Sequence, residues 1–171
     1  MIVTIFKYGS PVLRKQSVEI TENDNLVEIV KNMFDTLKKE GGLGLAAPQI
    51  GLLKRIFLMD TSSLNEDDPE IKKVEQAFIN PEILGSSSET IFHEEGCLSI
   101  PDIYESVERP VKIRVRYQDT FFNTIEKELD GMQSRIFQHE FDHLNGILFI
   151  DRLSPLRRKL LTGKLNKIRN L

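Results

Sequence analysis

DGMQSRIFQHEFDHLNG, residues 130–146, marks the helix around which the rest of the chain can be arranged. Met132, Ile136, His139 and His143 fall on one face of it, with Glu140 beside them, because residues i and i+4 stack on an α-helix. Asp130 suits the N-cap, and Asn145 with Gly146 suits the stop. The two histidines could aim both imidazoles at one ion, with Glu140 within reach of a bound water. A metal with an open position makes such a water acidic, and a neighbouring carboxylate can take its proton. The plainer reading is a solvated or core-edge helix that carries two histidines by chance. The chain has only three histidines in 171 residues, so this spacing seldom arises by accident and the metal reading is preferred.

Working outward, NDNLVEIVKNMFDTLKKEGG (23–42) predicts a second helix. Leu26, Ile29, Val30, Met33, Phe34 and Leu37 give a 3.6-residue stripe, and Gly41 with Gly42 stops it. GLGLAAPQIG (42–51) is small, apolar and broken by proline, so it is extended or looped. RIFLMD (55–60) reads as a buried strand. SSLNEDDPEIKKVEQ reads as a polar surface loop. AFINPEIL and 89–95 read as further strands. PVKIRVRYQD (110–119) alternates Val111, Ile113, Val115 and Tyr117 against polar neighbours, the pattern of a half-buried strand. TIEKELDG leads into the central helix. SPLRRKLLTGKLNKIRNL (154–171) predicts a C-terminal helix with Leu161, Leu165 and Ile168 on its apolar edge, weakened by Gly163. Helix, strands, then helices argue an α+β fold. In it, antiparallel or mixed β-sheets pack around the central metal-binding helix, with an N-terminal helix and a C-terminal helix.

The bulk properties bound the function. An apolar fraction of 40% and a charged fraction of 29% are those of a soluble globular chain. One catalytic domain over 1–171 is expected, with 154–171 as its basic C-terminal segment. A net charge of -3, from 23 basic and 26 acidic residues, argues against a DNA-binding protein. No apolar run has the length of a membrane span. The start, MIVTIFKYGSPVLRKQ, lacks a signal-peptide pattern. A single cysteine suits a reducing cytoplasm.

The third metal ligand is less legible. An extended form of the motif would place another histidine at 149, which is Phe149. No acidic residue follows Asp151, so Asp151 is the last downstream candidate. Upstream stand His93, Glu94, Glu95 and Cys97. A thiolate is a strong soft ligand, whereas a free cysteine is more often a small buried hydrophobe. The residues alone leave Cys97, His93 and Asp151 open, with Cys97 ahead.

Three blocks bear on that choice: GLGLAAPQ (42–49), EGCLS (95–99) and QHEFDH (138–143). With YGSPVLRK and LFIDRLSPLRR, they make nearly the whole chain resemble a bacterial peptide deformylase. The resemblance implies that Cys97, His139 and His143 hold one divalent ion, Fe2+ in the cell, with Zn2+ or Ni2+ as substitutes. It makes Glu140 the general acid/base. Gln49 and the backbone amide of Leu98 would polarise the formyl oxygen. The backbone near Leu43, Gly44 and Gly96 would align the peptide, and Ile136 would border the methionine pocket near Arg135. Glu95 would pair with Arg109, and His93 would either border the pocket or face solvent. The implied reaction is hydrolysis of the N-formyl group from the initiating methionine of nascent polypeptides, releasing formate. By residues alone, Gln49 would pass for a surface glutamine. Gly42 and Gly44 have a rationale of their own, since missing side chains admit a ligand backbone.

Two rival readings remain at this stage. One is another H-E-x-x-H metallopeptidase that cleaves internal bonds and uses Asp151. The other is a closed structural site with four protein ligands. The C-terminal segment adds a separate expectation. Arg152, Arg157, Arg158, Lys159, Lys164, Lys167 and Arg169 stand there with no acidic residue after Asp151. Such a stretch can meet phosphate backbone, and the resemblance points to the ribosome. A solvated helix face is the plainer alternative. A monomer is expected.

Overall fold

The computed structural model describes residues 1–170. The first helix, α1, spans Leu26–Glu40, inside the expected 23–42. Asn25 caps it: its side-chain oxygen accepts from the Glu28 N–H, and its amide donates to Glu28 Oε2 at 2.7 Å. Gly41 ends it at φ 70°, and its N–H donates to the Leu37 carbonyl, a left-handed stop that favours glycine. Leu26, Met33 and Leu37 are buried along the predicted stripe.

The chain continues through β1 (Gly44–Ala46), β2 (Ile56–Asp60), α2 (Ser62–Asp67), β3 (Glu75–Ser86), β4 (Thr90–Cys97) and β5 (Ile100–Pro110). It ends with β6 (Ile113–Gln118), β7 (Thr124–Leu129), α3 (Gly131–Leu144) and α4 (Pro155–Arg169). Five strands form one sheet in the order β1-β2-β3-β6-β7, and β4 pairs with β5 in a separate hairpin. Every ladder is antiparallel. This is the expected α+β fold.

The run IFLMD of β2 is apolar without alternation because both of its faces are covered. Ile56 and Leu58 join Met33 and Leu37 of α1. Phe57 and Met59 join Phe137 and Leu144 of α3 on the opposite face. There the Phe57 and Phe78 rings stack at 5.1 Å, and Phe137 meets them edge-on at 4.9 and 5.3 Å. Phe137 thus anchors α3 to the sheet. His139 and His143 lie about 160° and 120° around the helix from Phe137 and face the β4–β5 hairpin. The hairpin in turn packs Ile100, Ile103 and Val107 against Leu148–Ile150 and against Leu161, Leu165 and Ile168 of α4. Helix α3 is therefore central, held between sheet and hairpin.

Several elements differ from expectation. The polar stretch after β2 contains α2, a short exposed helix. Strands β5 and β7 extend into segments without clean apolar alternation. In β5 an inward position is taken by a charge, Arg109, and the backbone is bent at Asp102, φ 62°. In β7 three of the six residues paired with β6 are charged. Glu126 opposes Arg116 and Glu128 opposes Arg114, and opposite charges across a ladder stabilise it. Asp130 occupies the N-cap of α3, but its side chain makes no capping hydrogen bond; its carbonyl accepts from Ser134 instead. Gly163 does not break α4, whose buried Leu161, Leu165 and Ile168 dock it on the body.

Candidate metal centre

The site forms where α3 meets the turn of the β4–β5 hairpin and the segment from β1. One ligating atom from each of Cys97, His139 and His143 lies within 4.8 Å of the others. Cys97 Sγ is 3.3 Å from His143 Nε2, close to the roughly 3.6 Å expected between a sulfur and a nitrogen sharing one tetrahedral ion. His139 Nδ1 lies 2.8 Å from Glu95 Oε1. That contact fixes the ring and leaves Nε2 for an ion. Burial, then the charge of neighbouring His139 and Arg109, push His143 well below the ordinary imidazole value. At His139 burial is outweighed by contacts with Cys97 and Glu95, which raise it well above that value; an ion taken up at His139 Nε2 displaces its proton. Neutral imidazole is the ligating form. One sulfur and two imidazoles, next to a buried carboxylate oxygen with no hydrogen-bond partner among the described residues, fit a borderline divalent ion.

That oxygen is Oε2 of Glu140, which is only 4% exposed. Burial pushes the Glu140 carboxyl up to about 7. A carboxyl so poised can both take and return a proton near neutrality. Gly44 lies directly against it: a Cβ at Gly44 would overlap Oε1 and sit 2.7 Å from the carboxyl carbon. Glycine at 44 therefore makes room for Glu140 itself as well as for a ligand backbone.

Gln49 is buried, not at the surface. Its Oε1 accepts from the Ala46 N–H at 2.8 Å, which turns Nε2 toward Ser99 Oγ at 3.1 Å and Cys97 Sγ at 3.5 Å. Leu98, in the hairpin turn, has its carbonyl held by Lys7 Nζ at 2.8 Å. Gly96 sits at a slip in the β4–β5 register, under the Tyr104 ring, with its absent Cβ position 2.6 Å from that ring. These groups border a cavity of about 440 Å³, whose lining includes Leu43, Gly44, Gln49, Gly96, Cys97, Leu98, Ile136, His139 and Glu140. His143 is buried beneath it.

The other candidates lie elsewhere. His93 is exposed on β4, with Nδ1 2.9 Å from the Glu94 carbonyl, and is not among the cavity's lining residues. Asp151 faces Arg14 and accepts from the Leu148 N–H, so an endopeptidase site built on Asp151 has no support. The Glu95–Arg109 pair is present at 2.6 and 2.9 Å and belongs to a wider buried network. Arg135 donates to Glu95 Oε2 at 2.6 Å, and Arg109 also reaches Asp142 at 3.0 Å. Burial alone would raise the Glu95 carboxyl, but hydrogen bonds from Arg109 and His139 hold it well below the usual range. Sequence reasoning missed Lys7, Ser99 and Asp142, and it counted Arg152 with the outward basic charges although its guanidinium grips Asp142. A signal for Asp142 existed: it falls on the His139 face of α3 at a spacing of three.

Two imidazoles and a buried carboxylate on one helix, met by a thiol from a hairpin turn and a fixed glutamine amide, define a metal-dependent hydrolase centre. The family model described as polypeptide deformylase matches residues 2–159. A peptide deformylase from Thermotoga maritima is 47% identical over 162 residues, covering 94% of this chain and 93% of the relative. A solved Plasmodium falciparum peptide deformylase superposes with a TM-score of 0.87 at 42% identity, over 96% of this chain and 94% of the other. An Acinetobacter baumannii peptide deformylase solved with Met-Ala-Ser bound gives a TM-score of 0.83 at 35% identity, over 90% and 99% of the two chains. The chain belongs to the polypeptide deformylase family.

Proposed function

We infer that this chain removes the N-formyl group from N-formylmethionyl peptides, and that Cys97, His139 and His143 hold the divalent ion it requires. The observation that carries the reading is the thiol and two imidazoles gathered around an unpartnered, buried Glu140 oxygen in a chain of this family. A divalent ion held there supplies Lewis-acid chemistry, acidifying water and polarising a carbonyl oxygen. Glu140 Oε2 accepts a proton from the attacking water. The water oxygen bonds to the formyl carbon as the carbon–nitrogen bond breaks, and Glu140 passes the proton to the departing nitrogen. Formate and a free amine result. Gln49 Nε2, aimed by Ala46, and the Leu98 N–H donate to the formyl oxygen as it gains charge. The peptide backbone lies along Leu43, Gly44 and Gly96. The methionine side chain enters the cavity beside Ile136 and Leu43, apolar lining being the usual basis of such selectivity. The Acinetobacter relative was solved with Met-Ala-Ser bound, which supports a peptide that begins with methionine as the ligand.

The ion proposed for the cell is Fe2+, with Zn2+ and Ni2+ able to replace it. A mixed thiolate and imidazole set accepts all three. The lone cysteine, kept as a thiol, supports a reducing cytoplasm. Among the described residues no helix is long and apolar enough to cross a membrane. We read residues 1–171 as one catalytic domain acting as a monomer. The test offers a formyl-Met peptide, its acetyl-Met counterpart and peptides with internal amides to the metal-loaded chain. Formate release from the first alone is the expected result. Cleavage of internal bonds without formate would return the reading to a general metallopeptidase.

The basic segment from 154 is proposed to meet the ribosome. Leu161, Leu165 and Ile168 face inward, leaving Lys159, Lys164 and Lys167 exposed. Deleting the helix would uncover the core beneath it, so charge reversal is the cleaner probe. Changing these three lysines to glutamate is expected to reduce co-sedimentation with ribosomes at low salt and to leave small-peptide turnover unchanged. Undiminished co-sedimentation would place the contact elsewhere.

A further inference from the structure

Arg152 stands partly exposed, two residues before the Ser154 cap of α4, and the chemistry above does not use it. Its guanidinium reaches inward. Nε and Nη2 donate to Oδ2 and Oδ1 of Asp142, both at 2.6 Å. Asp142 is buried and lies between His139 and His143 on α3. Its Oδ2 also accepts from Arg109 Nη1 at 3.0 Å. Arg109 directs Nε and Nη2 at Glu95, at 2.6 and 2.9 Å. Glu95 Oε1 holds His139 Nδ1 at 2.8 Å. An unbroken series of contacts, alternating in charge, therefore runs from a surface guanidinium to an imidazole of the cluster.

The geometry says what the outermost member does. Arg109 sits between two carboxylates and must satisfy both. Arg152 grips both oxygens of Asp142, a two-point contact that a planar guanidinium makes and an ammonium does not. Without it, Asp142 is a buried carboxylate left with Arg109 as its cation, and it draws Arg109 away from Glu95. Glu95 then holds His139 less firmly. Outer partners of a ligating histidine set its ring orientation and tautomer, and their loss weakens metal binding.

We propose that Arg152 is a positioning residue of the metal centre, acting through Asp142, Arg109 and Glu95 on His139. The proposal rests on the reading of Cys97, His139 and His143 as the ion's holders. Its test uses the full chain loaded with Co2+, whose visible absorption reports a thiolate in its coordination shell. Loss of that absorption into excess chelator gives the release rate. R152Q keeps the length of the side chain and loses the two-point grip. R152K keeps the charge with one point of attachment. R152Q is expected to release Co2+ about 10-fold faster than the wild-type chain, with R152K between them. In a D142N background the R152Q change should alter the rate by less than about twofold, because its route to the ion is already broken. Release from R152Q at the wild-type rate would overturn the proposal, as would an R152Q effect of equal size with and without D142N. Should R152Q not fold, R152K against wild type in both backgrounds carries the same two outcomes. A wild-type chain that binds Co2+ without thiolate absorption would count against the ion-holding reading instead.

Discussion

Replacing Glu140 by glutamine is expected to leave the ion bound and to lower kcat by about 100-fold to 10,000-fold, the range that general acid–base groups supply. The prediction follows from position. Glu140 is outside the ligating cluster, yet its Oε2 is buried beside it without a partner, and Gly44 leaves no slack on the other oxygen. Glutamine fills the same space and cannot take a proton from water. It also carries no charge to desolvate, so the variant should unfold at the same or a higher temperature than the wild type. Metal content and formate release are measured on one preparation. Loss of metal with undiminished turnover per bound ion would give Glu140 a structural role.

The second large effect is expected at Cys97. Changing it to serine replaces a soft thiolate donor with a hydroxyl that seldom ionises. Removing an outer partner of a ligand costs about 10-fold to 100-fold in affinity, so removing the thiolate itself should cost more than about 100-fold. Gln49 Nε2 can still donate to the serine oxygen, and the side chain remains close in size, so the fold should persist. The same thiolate makes a ferrous site prone to oxidation, and activity should fade in air. Metal binding is followed by titration, and the first coordination shell by X-ray absorption. Full affinity in C97S, with no sulfur near the ion in the wild type, would remove Cys97 from the set.

The sequence carried some of this more openly than the rest. The period of α1 and the H-E-x-x-H spacing on α3 are local, and both helices form where those patterns place them. Cys97 is different. Its approach to His143 depends on where the β4–β5 hairpin crosses α3, a tertiary relation that no local pattern encodes. Residue chemistry alone put it ahead of His93 and Asp151 without closing the question, and the resemblance of three motif blocks made the choice. Gln49 passed for a surface residue because the partners of its amide nitrogen, Ser99 and Cys97, become visible only once the β1 segment and the hairpin turn are brought together.

The buried charges were harder still. By residue chemistry alone Arg109 and Asp142 look like ordinary surface residues; the resemblance paired Arg109 with Glu95, but its match to Asp142 lies across 33 positions of chain. Strand β5 was missed for a related reason, since its inward register passes from Val107 to Arg109. A charge in an apolar register is the signal of such a network, and it disguises the strand that carries it.

The central claim is that deformylation depends on one ion at this cluster. The direct measurement strips the metal under anaerobic conditions, returns Fe2+ stepwise, and records formate released from a formyl-Met peptide at each step. The account predicts negligible release from the stripped chain, a linear rise with added iron, and a plateau at one ion per chain. Formate release that survives complete removal of metal, or that fails to return when the cluster is filled, would contradict it.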